Sequence, residues 1–427
     1  MKLFKIPFTI VLAIATSLNA YSQMTLSGEI RPRTEYRHGY KTLIDTSQSA
    51  GIFTSQRTRV NFGYIKDNFK TQITLQDVRV WGNQSQANIY DVNTSSLHEA
   101  WGEYSFNKYF SVKAGRQEIN YDDQRLFGAV AWAQQGRSHD AIQVKYNDST
   151  FSAHIGVAYN QTGENSIATS YTVTNNYKEL YYIWLNKKFK NLSISLIEIN
   201  NGIQSPASIN STRFSYTAGT HIEYTKDALG VNIRYYHQGG IDAAKRDINA
   251  NMFGIDFSYT VKKKITFVLG AEILSGQSQT DTAKSYLDVT HQFNPLYGTA
   301  HKFNGYMDYF YSGNGHSNAG LNDFYFKTKY KGENWWLSLD IHQFLACADV
   351  LDRAKYLQSG EYSKMESSLG TEFDLTFAYT FSNNFTTQVG YSHLLATKTM
   401  AAVKGGAYDE TQNWAYLMLI FKPVFLK

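Results

Sequence analysis

The sequence predicts an all-β fold: a single transmembrane antiparallel β-barrel of about 18 strands with inward-folded loops, spanning residues 23–427. Strand polarity is the first observation behind it. In residues 26–37 (LSGEIRPRTEYR), Ser27, Glu29, Arg31, Arg33, Glu35 and Arg37 alternate with Leu26, Gly28, Ile30, Pro32, Thr34 and Tyr36. Successive strand side chains point to opposite faces, so one face is a ladder of ions and the other is largely apolar. A soluble sheet could hold one such strand. The pattern recurs to the C-terminus, however, starting with Arg57, Arg59 and Asn61 against Thr58, Val60, Phe62 and Tyr64. Second, no run beyond the N-terminus is long and apolar enough for a membrane helix, and a closed barrel is the other structure that satisfies every backbone group in lipid. Third, the chain holds 32 Tyr, 26 Phe and 7 Trp but only 5 Pro; aromatics favour strands and form girdles at both membrane interfaces.

Residues 1–22 read as a secretory signal peptide. Lys2 and Lys5 precede the apolar residues 6–18, and Ala20 and Ser22 are small residues at cleavage positions. The run is too short to span as a stable helix. Export and a barrel together predict the outer membrane of a Gram-negative bacterium. The formal charge is +5, and removing Lys2 and Lys5 leaves 5 − 2 = +3, too mild to argue nucleic-acid binding. Cys347 is alone, which excludes an internal disulfide framework.

Residues 69–81 place Phe69, Thr71, Ile73 and Leu75 on one face. Val78 and Val80 then follow the opposite parity, which predicts a bulge near Asp77 and an inward Arg79. Residues 97–106 put Glu99, Trp101 and Glu103 on one face, and a tight turn at Asn107 and Lys108 leads into a strand ending near Arg116. Residues 118–137 (EINYDDQRLFGAVAWAQQGR) break the rhythm. A long, irregular connection this apolar is expected to fold inward and narrow the pore.

The middle reads as hairpins, each across a short polar turn: 141–146 with 151–159, 179–187 with 192–199, 214–224 with 229–236, and 253–261 with 265–273. Residues 275–321 are the longest connection and too aromatic for a solvated loop; they are expected to plug the pore or cover its mouth. Two more hairpins follow, 324–330 with 335–341 and 369–379 with 385–391. Residues 414–427 close the barrel beside the first strand, with Phe425 near the terminal aromatic position. Short turns belong on the periplasmic side and long loops outside.

The arginines carry the functional signal. Arg31, Arg33, Arg57, Arg59, Arg79 and Arg116 fall on inward positions or at a strand end. Guanidinium is always charged and binds carboxylates bidentately. Rings of such groups lower the barrier for anions in a wet pore. The same groups could instead pair with Glu29, Glu35, Glu99 and Glu103 and brace the lumen. Asp122, Asp123, Arg125 and Arg137 lie in the inserted segment; its paired carboxylates suit a metal, an acid–base pair or a loop salt bridge, and no further ligands stand nearby in sequence. Ser138, His139 and Asp140 are consecutive on one strand, so they point alternately and cannot converge as a triad. With no phosphate loop, zinc spacing or nucleophile elbow, neither catalysis nor a cofactor is expected. The expected partners are an anionic solute and outer-membrane lipid.

Five stretches together resemble the alginate export family of outer-membrane barrels: SGEIRPRTEYR (27–37), QRTRVNFGY (56–64), HEAWGEY (98–104), AGRQEINYDDQRLFGAVAWAQQGRSHDAI (114–142) and YGTAHKFNGYMDYF (297–310). The fourth is the most specific. The resemblance implies a barrel of about 18 strands with arginines that select an anionic polysaccharide. The matching positions are Arg31, Arg33, Arg57, Arg59, Arg116, Arg125 and Arg137, held in place by acids such as Glu99 and Glu103. The end of the signal peptide is similar to those of Bacteroidetes-type bacteria, whose relatives import oligosaccharides or other small anions. The expected cargo is therefore an anionic polysaccharide, oligosaccharide or similar solute.

Overall fold

The computed structural model of the protein describes residues 23–86, 95–171, 173, 176–205, 211–310 and 318–427. The signal peptide expected at residues 1–22 lies outside the described residues. One antiparallel sheet of 19 strands forms the wall; the short Val424–Leu426 merely continues the last long strand, which leaves eighteen staves. The sheet closes on itself. Gln412–Phe421 pairs with Gln23–His38, from Ile30 opposite Phe421 to His38 opposite Asn413.

Short turns alternate with long loops around the barrel. Both ends of the described chain reach the rim that carries the short turns, so this rim is the periplasmic one. At that rim strands begin where the sequence puts them, at Phe151, Leu192, Leu229, Ile265, Trp335 and Phe385. At the other rim they run further, to Gln204, Gly240, Leu345 and Ala396. Lipid imposes the apolar half of the alternation, so the pattern fades where a strand rises above the bilayer.

The wall is inverted relative to a soluble protein. Ile30, Val60, Leu75, Ile142, Ile155, Leu196, Leu269 and Leu417 are exposed on the outside, while Arg31, Arg57, Arg234, Glu272, His342, Glu372 and Asp374 are buried within. The bulge expected near Asp77 is absent: pairing runs unbroken from Ser55 opposite Val80 to Lys66 opposite Phe69. The irregularity lies one strand further on. Thr74 pairs with Glu99 but Leu75 with Leu97, so His98 is the extra residue.

Residues 118–138 and 293–310 fold into the lumen and bind each other, while residues 281–288 stay largely exposed. Phe127 and Tyr297 form a parallel bridge; Gly128 N donates to Tyr297 O at 3.0 Å, and Thr299 N to Gln124 O at 2.9 Å. The apolar core therefore sits inside the barrel. Phe127, fully buried, packs on Tyr182 of the wall at 5.0 Å and on Tyr297 at 5.9 Å.

Candidate functional site: an arginine comb gripping a lumenal loop

The first two strands run side by side with Glu29 opposite Arg59, Arg31 opposite Arg57 and Arg33 opposite Ser55. Alternation turns all of these inward, with cross-strand neighbours roughly 5 Å apart. Packed this closely, the guanidiniums would repel one another without acceptors. Residues 131–134 supply them. Arg31 donates to Ala131 O at 2.8 Å, Trp132 O at 3.1 Å, Ala133 O at 3.2 Å and Gln134 Oε1 at 3.0 Å. Arg33 donates to Trp132 O at 2.8 Å. Arg57 reaches Ala131 O at 3.3 Å and Ala133 O at 3.4 Å. The loop passes this close because residue 136 is glycine: a Cβ there would stand 2.7 Å from Arg59 Nη2 and 2.8 Å from His98.

Carboxylates complete the comb. Glu29 takes Arg57 at 2.5 Å, Glu35 takes both Arg33 and Arg37 at 2.9 Å, and Glu118 lies 3.8 Å from Arg59. Five guanidiniums, those of residues 31, 33, 37, 57 and 59, thus share three carboxylates. Arg59 Nη2 is buried without a hydrogen-bond partner. Trp132 is sandwiched in the same place, with Arg33 over one face at 4.2 Å and His301 stacked on the other at 4.2 Å.

A second cluster anchors the other end of the plug. Arg125 binds Glu272 Oε1 at 2.5 Å and Asn304 Oδ1 at 3.2 Å. Arg234 bridges Asp123 of the loop at 2.9 Å and Asp256 of the wall at 2.7 Å. Burial works to raise the pKa of Asp123, but Arg234 outweighs it and holds the carboxyl below its usual value. Arg137 donates to Gly298 O at 3.0 Å, and burial pulls its guanidinium down to about 10.

The structure brings Arg31, Arg33, Arg57 and Arg59 together against the loop and sets Arg125 and Arg137 within it. Asp122 accepts from Trp184 Nε1 at 3.0 Å, and Asp123 is in the salt bridge with Arg234. Arg79 and Arg116 do not join the comb. Arg79 stands opposite Gln56, on the other strand face from Arg57, and binds Asp77 at 2.6 Å; without the expected bulge its parity stays with Ile73 and Leu75, yet at the rim it still borders the cavity beside the comb. Arg116 shares neither the face of buried Gln117 nor its surroundings, and pairs at 2.8 Å with exposed Asp140. Glu99 and Glu103 also differ from expectation. Glu99 accepts from Trp101 Nε1 at 3.1 Å and Glu118 N at 3.2 Å. Glu103 accepts from Ser111 at 2.7 Å and Lys145 at 3.3 Å. The bulge at His98 and the start of the inserted loop bring Glu118 within 3.8 Å of Arg59, while Glu99 acts on that guanidinium from further off.

The sequence does not mark Trp132 or Glu272 as parts of the site, whereas Arg234 reads as an inward arginine. Arg234 alternates correctly with outward Ile233 and Tyr235, which was its available signal; Glu272 finds Arg125 across 147 residues and Trp132 finds Arg33 across 99 residues. A cavity of about 360 Å³ opens toward the long-loop rim beside the comb, lined by Arg33, Glu35, Arg37, Tyr40, Lys41 and Trp132 among others.

A greasy cylinder with a charged lumen and loops folded into it is an outer-membrane porin barrel. The chain belongs to the alginate export family, whose model matches residues 22–412, and it resides in the outer membrane of a Gram-negative bacterium. Solved structures share the fold. OccAB4 of Acinetobacter baumannii superposes with a TM-score of 0.62 at 11% identity, covering 94% of this chain and 98% of that one. OccD3 (OpdP) of Pseudomonas aeruginosa gives 0.60 at 14% identity over 96% and 93%. OpdK of Pseudomonas aeruginosa with vanillate gives 0.58 at 10% identity over 94% and 99%. The chain has no match among curated proteins.

Proposed function

We propose that this porin passes an anionic polysaccharide, oligosaccharide or similar anionic solute passively through its lumen, with the arginine comb setting the preference for anions. The observation that carries this reading is the charge imbalance of the comb, five guanidiniums to three carboxylates, beside a cavity that Arg33, Arg37, Lys41 and Arg79 line against Glu35 and Asp308. Such a surplus lowers the barrier for a carboxylate entering a narrow space. The partial neutralisation matters equally, because a fully unpaired comb would trap an anion instead of releasing it. No bond is made or broken, and the work is done by position and charge.

The packed plug favours a second reading, a barrel closed at rest that conducts little until residues 118–138 shift. Planar-bilayer recording separates the two. The channel reading expects conductance with a reversal potential in a salt gradient that marks anion preference. Replacing Arg57 and Arg59 together with Ser should move that potential toward the unselective value. Cation preference in the unaltered protein, or an unmoved potential in the double variant, would overturn it. Absence of conductance would leave the closed barrel.

A further inference from the structure

We infer that a second cavity, nearer the periplasmic rim, is a subsite that holds one sugar ring of the passing anion. The inference rests on the anionic-sugar reading above and adds a place and a chemistry to it. The cavity measures about 220 Å³, and its walls include Trp132, Lys302, Tyr306, Trp336, Gln388 and Tyr416. It touches the same Trp132 as the outer cavity. With Arg33 on one face of that indole and His301 on the other, Trp132 stands as a partition between the two spaces.

Trp336 is the distinctive wall. It is the second residue of Trp335–Leu345, and alternation with buried Ser338 turns it inward. Lys329 covers one face of its ring at 4.0 Å. Unlike Trp132, it has no aromatic ring contact among the described residues, so a flat apolar surface borders the cavity. The face of an aromatic ring is negative and attracts the weakly positive C–H face of a pyranose. Polar groups stand around it as a sugar requires. Gln388 Nε2 donates to Tyr416 Oη at 2.6 Å, leaving the phenol proton and the Gln388 carbonyl for ring hydroxyls. Lys302 donates to the backbone oxygen of Asp123 at 2.9 Å; Asp123 and Asp256 act on its charge from a distance, but no direct ion pair with a carboxylate forms among the described residues, so the ammonium keeps protons to donate to a uronate. An apolar platform with a few convergent polar groups is the general form of a small-ligand site.

The test is single-channel recording of the full chain, which reads only folded, inserted barrels. A mannuronate trisaccharide should interrupt the current with resolvable dwell times. Trp336→Ala should shorten the mean dwell about tenfold, and Trp336→Phe, which keeps a ring, should stay within about twofold of the parent. Maltotriose, neutral but otherwise similar, should dwell more briefly than the uronate. Equal dwell in Trp336→Ala and the parent, or equal loss in both variants, would overturn the platform. Trp336-dependent block by vanillate but none by the trisaccharide would make this a site for aromatic acids and overturn the sugar assignment. The wild-type reversal potential reports separately on the anion reading, so the two failures are distinguishable.

Discussion

Replacing Arg31 with Met keeps the length of the side chain and removes every donor. In the parent, Arg31 makes five contacts to four acceptors, at 2.8 to 3.2 Å, and three of the acceptors are backbone oxygens of residues 131–133. A hydrogen bond from a charged donor contributes ~1.5–3 kcal/mol. These contacts share one guanidinium, and Arg33 still holds Trp132 O at 2.8 Å, so they do not add fully. The loop should lose ~3–4 kcal/mol of docking free energy, which is an opening roughly two to three orders of magnitude more frequent. No ladder bond of the wall involves the lost side chain, so the barrel itself should persist. Hydrogen exchange followed by mass spectrometry on peptides covering residues 128–136 should show protection falling by that factor, and channel recordings should show added transitions to a larger conductance. Unchanged protection in a folded Arg31→Met barrel would refute the idea that the comb holds the loop in place.

Arg125→Leu removes the guanidinium in contact with buried Glu272, leaving Asn304 and the more distant Arg234 to offset its charge, and should cost the plug ~3 kcal/mol; protease cleavage within residues 120–128 of the intact barrel would report it, and parental resistance would count against the pair as an anchor. Phe127→Ala removes the ring at the centre of the lumenal core and should cost a similar ~3–5 kcal/mol, read as a lower temperature for cleavage of the same segment. Arg116→Ala should change stability by less than ~0.5 kcal/mol and leave the reversal potential alone, because its pair with Asp140 is exposed; a shifted potential would place Arg116 in the path after all. Burial pulls the Lys404 ammonium down to about 7. Its protonated form is disfavoured in the docked state, so docking of Lys398–Lys404 should strengthen as pH rises from about 7 toward ~10.4, its ordinary value. Exchange protection there, corrected for intrinsic rates, should climb between pH 7 and 9, and a flat profile would show that the ammonium stays charged when docked.

The wall was legible because lipid and water write opposite instructions on alternate residues. Leu375 and Phe377 against Asp374 and Thr376 can be read with no knowledge of their neighbours, and register follows from hairpins such as Val261–Ile265. Parity is also where the reading failed. Val78 and Val80 look like outward residues, yet they face the lumen, because above the bilayer the outer face no longer demands hydrocarbon; Arg79 takes the opposite parity but still borders the rim cavity beside them. The inserted segment showed itself by breaking the rhythm, but nothing local says that carbonyl oxygens of residues 131–133 will occupy Arg31. That contact spans a hundred residues and exists only once the inserted loop has docked on the first two strands.

The seam therefore has a say in the order of biogenesis. Glu35, which aligns Arg33 and Arg37, receives a hydrogen bond from Trp414 Nε1 at 3.0 Å, and Trp414 belongs to the final stave, paired with the first. The Glu35 arm of the comb is then completed only when the carboxyl end of the chain has zipped against the amino end. A nascent barrel still open at that junction can hold its inner loop through Arg31 and Arg57, but Glu35 lacks the bond that fixes it between Arg33 and Arg37.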